Sequence, residues 1–286
     1  MKLAVFALFI NALLWGLSWW PFRALSAQGV HGLWSTALVY ALIAAGVVWW
    51  DRQAPGLLWR RRTLWPLLLA SGLTNAAFNW ALTFGDVVRV VLLFYLMPAW
   101  AALLARWLLH ERMNTGTLLR IALALAGAAV VLTPPGGAWP LPQDSADLLA
   151  ILGGAGFAAT NVLLRREAEA PESARALAMF VGGVLVAGGL AAVLSGVDRV
   201  AWPPAPQWTW LTGIAGLALM FAVGNLCLQY GAARLPANLT SLVLLSEVPI
   251  AALSAVWWGD ERLLPNTLIG GAMILASVVL ALRTSR

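Results

Sequence analysis

The sequence predicts an all-α integral membrane protein, with ten transmembrane helices arranged as two inverted five-helix repeats. Composition, the number of apolar runs and an internal repeat predict this fold. Hydrophobic residues make up 61% and charged residues 10% of the 286 residues, and the mean hydropathy is +0.82. A soluble domain carries about 45–50% apolar and about 25% charged residues. The chain has too few polar groups to cover a globular surface, so the composition excludes a soluble protein.

Ten apolar runs are close to the length that crosses a bilayer as a helix, which is about 20 residues. They are residues 3–22, 33–50, 65–84, 90–109, 117–132, 148–164, 176–194, 208–230, 239–258 and 267–282. The runs are too long for strands of a transmembrane barrel, and they show no strict alternation. The first run is longer than the apolar core of a signal peptide, so we expect it to remain in the protein.

The basic residues predict which way the helices point. If the N-terminus is cytoplasmic and the chain crosses ten times, 14 of the 18 basic residues lie on the inner side. The outer four are Arg23, Arg89, Arg199 and Arg262. Membrane insertion keeps positive charge inside, so we expect both termini to be cytoplasmic and the protein to lie in the cell inner membrane. The net charge of +6 is then a topology signal, and no nucleic-acid partner is expected.

An internal repeat relates the two halves of the chain. Residues 111–118 read Glu-Arg-Met-Asn-Thr-Gly-Thr-Leu, and residues 261–268 read Glu-Arg-Leu-Leu-Pro-Asn-Thr-Leu. Five spans in each half put the second half upside down in the membrane, which is the architecture of secondary transporters. We therefore expect repeats at residues 1–133 and 147–283, joined by a linker at residues 134–146. A duplicated structural bundle without transport is the alternative.

These features resemble the drug/metabolite transporter superfamily of the EamA type over essentially the whole chain. The resemblance is carried by the five-plus-five spans, Trp15-Gly16, Pro98, Pro249 and the two Glu-Arg pairs. Residues 89–98 are most similar to the aromatic amino acid exporter branch. The resemblance implies export of aromatic and other neutral amino acids through a cavity lined by spans one, three, four, six, eight and nine. Spans five and ten are implied to be peripheral.

Two of the 17 tryptophans lie deep in their spans. Most of the others lie at span ends, as in the aromatic belts at membrane interfaces. Trp15 and Trp100 have indole N–H groups that need a partner away from water. Each either bonds a neighbouring helix or lines a wet cavity, so both are candidates for substrate binding.

Glu247 is the one carboxylate deep in an apolar run, two residues before Pro249. Insertion of an acidic residue there costs roughly 2.5–3.5 kcal/mol, which makes it a functional candidate by default. It could bind a substrate ammonium group or carry a proton. A structural ion pair is the alternative.

Polar and aromatic residues on the spans expected to line the cavity complete the candidate site. Asn75 and Asn79 lie four residues apart in the third span beside Phe78, and Asn79 corresponds to Asn225 in the repeat. Amides at this spacing face one neighbour and often join helices, so binding and packing are equally open. The weaker candidates are Ser18, Tyr95, Phe157 and Asn161.

Proline and alanine residues suggest how the helices move and pack. Pro98 and Pro249 each remove a backbone hydrogen bond, so they are candidate hinges or static kinks. The pairs Ala122/Ala126 and Ala272/Ala276 allow close helix approach within the bundle or in a dimer. The protein is expected to be a monomer or a homodimer.

Enzyme signatures are absent from the sequence. There is no His-Glu-x-x-His, Gly-x-Ser-x-Gly or Walker motif, and Lys2 is the only lysine. We expect no cofactor and no bound metal. The leading hypothesis is a secondary transporter that exports small metabolites, most of all aromatic and other neutral amino acids, by alternating access. One alternative is a proton-coupled exporter of cationic drugs, in which Glu247 accepts the cation and tryptophans form a cation–π cage. A more remote alternative is a membrane enzyme or a scaffold subunit.

Overall fold

The computed structural model describes residues 2–108, 115–133, 141–232, 234–235, 240 and 243–284, and these contain helices and no strand. The helices are α1 Lys2–Gly16, α2 Trp19–Ala27, α3 Gly32–Trp50, α4 Ala54–Arg60, α5 Trp65–Phe84, α6 Val87–Phe94, α7 Met97–Leu108, α8 Thr115–Leu132, α9 Ser145–Arg166, α10 Glu172–Gly196, α11 Trp208–Ala232, α12 Glu247–Trp258 and α13 Pro265–Thr284. A short 3₁₀ turn covers Arg62–Leu64. The predicted Glu111-Arg112 pair and most of the predicted linker, at residues 134–140, lie outside the described residues.

Seven helical stretches among the described residues are long and apolar enough to cross a membrane. They are Lys2–Ala27, Gly32–Trp50, Val87–Leu108, Thr115–Leu132, Ser145–Arg166, Glu172–Gly196 and Trp208–Leu228. Two shorter apolar helices are Glu247–Trp258 and Pro265–Leu280. Helix α5 has 20 residues but carries Thr74, Asn75 and Asn79, which make it less apolar. The helical class is confirmed, and ten crossings remain a prediction.

Three helical stretches are interrupted part-way along their length. Two-residue turns lie at Leu17–Ser18 between α1 and α2, and at Tyr95–Leu96 between α6 and α7. A third turn, at Leu245–Ser246, precedes α12. Each turn lies two or three residues before a proline, namely Pro21, Pro98 or Pro249.

Glycines allow the helices to approach closely. A Cβ at Gly182 on α10 would collide with the backbone carbonyl oxygen of Leu68 on α5, and one at Gly72 would collide with Gly182. A Cβ at Gly127 on α8 would lie 2.7 Å from the carbonyl oxygen of Gly270 on α13. Small residues matter in membrane helices because lipid supplies no hydrophobic drive, and close backbone contact increases van der Waals packing.

The four alanines expected to allow close helix approach are exposed in this chain. Ala122, Ala126, Ala272 and Ala276 all lie on the exposed faces of α8 and α13. The two helices contact each other through Gly127 and Gly270 instead, because only glycine leaves room for backbone against backbone. The expectation that these alanines pack the bundle is therefore wrong. Their use in a dimer stays a prediction.

Substitution of the two glycines Gly182 and Gly189, both on α10, tests the packing. Gly182→Ala should destabilise the protein by about 1–3 kcal/mol, because the added Cβ meets a backbone carbonyl that cannot move aside. A Cβ at Gly189 meets nothing within 4 Å, so Gly189→Ala should be neutral or slightly stabilising through helix propensity. The measurement is the thermal unfolding midpoint in detergent, followed by tryptophan fluorescence. Equal midpoints for the two variants would contradict the tight α5–α10 contact.

Candidate functional site

The three helix breaks meet inside the bundle. Gly16, at the end of α1, packs against the start of α12, where an added Cβ would lie 3.0 Å from the carbonyl oxygen of Glu247. The hydroxyl of Tyr95, in the second break, donates to Oε2 of Glu247 at 3.2 Å. Glu247 therefore joins the breaks at Leu17–Ser18, Tyr95–Leu96 and Leu245–Ser246 at one level of the bundle.

The same change in hydrogen bonding causes each break. The backbone N–H groups of Ser18, Leu96 and Ser246 each donate to the carbonyl oxygen three residues back. The accepting residues are Trp15, Leu93 and Val243, respectively. This tighter 3₁₀-type turn replaces the α-helical bond from four residues back. The following prolines have no N–H to restore the α-helical pattern.

The break before Pro98 also brings backbone close to a neighbouring helix. A regular helix would direct the N–H of residue 98 to the carbonyl of Phe94, and Pro98 has none. The Phe94 carbonyl oxygen lies against Gly154 of α9, where a Cβ would come within 2.6 Å. Pro98 and Pro249 were predicted hinges or kinks, whereas Pro21 was not predicted. The sequence Ser18-Trp19-Trp20-Pro21 inside a long apolar run was the signal.

An aromatic cluster borders the second break. The rings of Phe78 and Phe94 have centroids 4.4 Å apart, and those of Phe94 and Phe157 are 5.4 Å apart. Tyr95 lies beside Phe94, at 6.3 Å. The structure thus brings together three predicted residues, Phe78, Phe157 and Tyr95. Phe94, which lies between them, was missed because a phenylalanine in an apolar run carries no distinguishing signal.

A second aromatic group surrounds Trp15. Its indole stacks on Phe221 of α11, with centroids 4.5 Å apart and planes at 16°. Tyr40 of α3 packs edge-on against the same phenylalanine. The Tyr40 hydroxyl donates to Asn75 Oδ1 at 2.5 Å, so this predicted amide joins α3 to α5. Asn225 lies one turn beyond Phe221, half-buried and with an interaction partner.

Three predicted polar side chains are buried without a partner among the described residues. They are the hydroxyl of Ser18, the amide of Asn79 and the indole nitrogen of Trp100. The Tyr40 hydroxyl lies beside Asn79 but donates to Asn75. A buried polar group without a hydrogen bond is costly, and such groups recur where a protein binds something. Ser18 and Asn79 are both 0% exposed, which makes them the clearest cases.

Asn161 is an exposed amide on α9. Helix α9 exposes Leu148 and Leu152 on one face, and Asn161 lies on the opposite face, one turn beyond Phe157. This face turns toward the bundle, yet Asn161 is exposed. Asn161 is therefore an accessible polar group toward the C-terminal end of α9.

The opposite end of the bundle is closed by charged groups. We call it the Arg23 end; it contains Arg23, Gly85, Arg89, Asp147 and Glu261. Arg23 pairs with Glu261 at 2.8 Å, and Arg89 pairs with Asp147 at 2.6 Å. The pairing of these two arginines could not be predicted from the sequence, because their partners lie 238 and 58 residues away.

The described residues contain no group of three or more His, Cys, Asp or Glu side chains placed to hold a metal. The candidate site is therefore built from helix ends, one carboxylate, amides, hydroxyls and aromatic rings. These groups offer both polar and aromatic contacts.

Two buried asparagines offer a test of this site. Asn79→Leu should leave the unfolding midpoint unchanged or raise it, because Asn79 loses no hydrogen bond. Asn11 is equally buried but donates to the Gly224 carbonyl at 2.8 Å, so Asn11→Leu should destabilise the protein by about 1–3 kcal/mol. The measurement is thermal unfolding of both variants in the same detergent. An equal loss in both would mean that Asn79 is bonded within the folded chain.

Comparison with known proteins identifies the family of the chain. The model of the EamA-like transporter family matches residues 2–133 and 144–283. A protein of Streptantibioticus cattleyicolor, described as a probable terminal-alkyne amino-acid exporter, is 30% identical over 98% of this chain and 94% of its own length. A protein of Archaeoglobus fulgidus, described only as an uncharacterized transporter, is 29% identical over 78% of this chain and 77% of its own.

One solved crystal structure has the same fold. Its TM-score is 0.55 at 20% identity, over 99% of this chain and 96% of its own length, which supports the fold alone. The family match covers nearly the whole chain and both of its halves. The chain is a multi-pass membrane protein and belongs to the EamA-like transporter family.

Proposed function

We propose that this transporter exports small metabolites, most of all aromatic and other neutral amino acids, and binds them where the three helix breaks meet. The observation that carries the proposal is the convergence of Gly16, Tyr95 and Glu247 at the breaks of three helical stretches. In secondary transporters, broken helices present their ends to the substrate near the membrane midplane. The name of the Streptantibioticus relative supports an amino acid as the substrate.

The chemistry of the site suits a zwitterion. Helices α2, α7 and α12 each begin at a break, and the N-terminal end of a helix favours a carboxylate. Glu247 and the carbonyl groups that end α1 and α6 favour an ammonium group. An aromatic side chain of the substrate would lie against the rings of Phe78, Phe94 and Phe157. Membership of the aromatic amino acid exporter branch is part of this proposal.

The roles of the remaining candidates follow from their positions. Ser18, Asn79 and Trp100 would donate to the substrate, since no described residue satisfies them. Trp15, Asn75 and Asn225 would form the wall beside the site. Asn161 would line the route that leads to it.

We propose ten crossings in two inverted repeats, at residues 1–133 and 147–283, with both termini in the cytoplasm. The two matches of the family model, one in each half, support the duplication. Breaks before Pro98 and before Pro249, in equivalent helices of the two halves, support it too. These prolines are the proposed hinges. The Arg23 end is then the outer end in the cell inner membrane, and Asn161 lies toward the cytoplasm, which is the side where an exporter loads.

A second function is favoured by one observation. The carboxylate of Glu247 accepts a hydrogen bond from Tyr95 and is half-buried beside this aromatic residue, as a receptor for an organic cation would be. Export of cationic drugs against protons would use these groups. No described feature favours an enzyme or a scaffold subunit.

Flux in proteoliposomes tests the function. Labelled tryptophan, phenylalanine and leucine should show saturable flux in wild type. Glu247→Gln should lower kcat/KM roughly 10- to 150-fold, because a hydrogen bond to a charged group contributes about 1.5–3 kcal/mol. Glu169→Gln, which changes an exposed carboxylate near the end of α9, is the matched control. Flux of lipophilic cations driven by a pH gradient, without amino acid flux, would replace the proposal with the drug exporter.

Two exposed glutamines at the ends of α3 test the orientation. Gln28 precedes this helix and Gln53 follows it, so a single crossing separates them. With Cys227 replaced by alanine, a membrane-impermeant maleimide should label Gln28→Cys but not Gln53→Cys in right-side-out vesicles. Inside-out vesicles should give the reverse. Labelling of Gln53→Cys from the outside would overturn the proposed orientation.

A further inference from the structure

We propose that Arg23 and Glu261 form a latch that closes the route to the substrate site at the Arg23 end and must open for transport. The inference rests on alternating access in the proposed function. It names the residues that keep the route to the substrate site closed on one side of the membrane. Four sets of contacts in the structure support this proposal.

The first step is the way Arg23 binds the C-terminal end of α5. Its guanidinium donates to the backbone carbonyls of Leu82 at 3.2 Å and Gly85 at 2.5 Å, at the C-terminal end of α5. The same group donates to Oε1 of Glu261 at 2.8 Å. The guanidinium also lies 5.0 Å from the ring of Trp19. One side chain therefore joins α2, the end of α5 and the segment that follows α12.

The second step is the set of hydrogen-bond donors around the Glu261 carboxylate. Glu261 accepts hydrogen bonds from the backbone N–H of Val87 at 3.0 Å and of Val88 at 3.4 Å, at the first turn of α6. The N-terminal end of a helix attracts an anion through its unpaired N–H groups and its dipole. Burial raises the pKa of Glu261, against the opposing effect of the Val87 hydrogen bond. The Glu261 carboxylate is therefore largely shielded from water, and these hydrogen-bond donors stabilise its charge.

The third step is the seam between the halves that the latch closes. Contacts between α1–α2 and α12 run from the break to the Arg23 end: Gly16 against Ile250, then the Trp19 indole N–H to Ser254 Oγ at 3.0 Å, then Arg23 to Glu261. Helix α1 packs on α11 as well as on α12. The latch therefore lies at the outer limit of a seam that leads straight to Glu247.

The fourth step is the contrast with the second ion pair at the same end. Arg89 makes two parallel bonds to Asp147, at 2.6 and 2.7 Å, and the Asp147 side chain is 2% exposed. Both α6 and α7 pack along α9 on either side of the break, so parting this pair would separate a whole helix interface. The Arg23–Glu261 side chains are more exposed, at 26% and 10%, and join only the end of a seam. This pair is the one placed to open.

Cysteine accessibility tests the latch without any substrate. In a Cys227→Ala background, Ser254→Cys places a thiol inside the seam, where the native residue is 4% exposed. A membrane-impermeant thiol reagent is added on whichever side labels Gln28→Cys. Wild-type Arg23 and Glu261 should protect the thiol. Arg23→Gln and Glu261→Ala should each raise its labelling rate about tenfold or more, because loss of one partner leaves buried polar or charged groups unpaired.

Three controls keep the result decisive. The rate at Gln28→Cys should be the same in all variants. Arg23→Lys, which keeps the charge but loses the forked geometry, should give an intermediate rate at Ser254→Cys. Arg89→Gln should lower the unfolding midpoint but leave labelling at Ser254→Cys unchanged.

Two outcomes would overturn the latch. One is unchanged labelling at Ser254→Cys in folded Arg23→Gln and Glu261→Ala proteins. The other is an equal increase in Arg89→Gln, which would show general loosening of this end. The labelling assay needs no substrate, so the absence of amino acid flux would not contradict the latch. Conversely, unchanged labelling would contradict the latch without contradicting a measured amino acid flux.

Discussion

Hydrogen bonding of the backbone in lipid is the constraint on which this structure depends. Inside a bilayer an unpaired N–H or C=O group has no water to bond, so a broken helix is tolerated only where protein or a wet cavity surrounds the break. The chain breaks three stretches, at Ser18, Tyr95 and Ser246, and joins all three at Glu247. The breaks are therefore confined to the interior, where their helix ends can face a ligand instead of lipid.

Much of the fold could be predicted from the sequence because composition and run length are strong signals in membrane proteins. The run at 65–84 was predicted with the bounds that α5 has, and the helical class followed from the apolar content. The alanine pairs were misleading because exposed and packed small residues look alike in a sequence. Gly127 and Gly270 pack instead, and only three-dimensional contact distinguishes the two faces.

The candidate site was predicted residue by residue but not as an arrangement. Glu247 was identified because a carboxylate in an apolar run is costly, and Tyr95 because it lies in a span expected to line the cavity. Their hydrogen bond joins residues 152 apart, which no local pattern encodes. The same holds for Arg23 and Glu261, whose pairing depends on how the halves come together. Phe94 and Phe221 had no sequence signal, since any apolar run contains such residues.

The central claim is that substrate lies where the three breaks meet. The most direct measurement is an anomalous diffraction map of crystals grown with 5-bromo-tryptophan, since bromine can be located without a prior model of the ligand. The account predicts one bromine peak beside Phe78, Phe94 and Phe157, with the amino acid backbone toward Glu247. A peak elsewhere in the bundle, or none at saturating ligand, would contradict it.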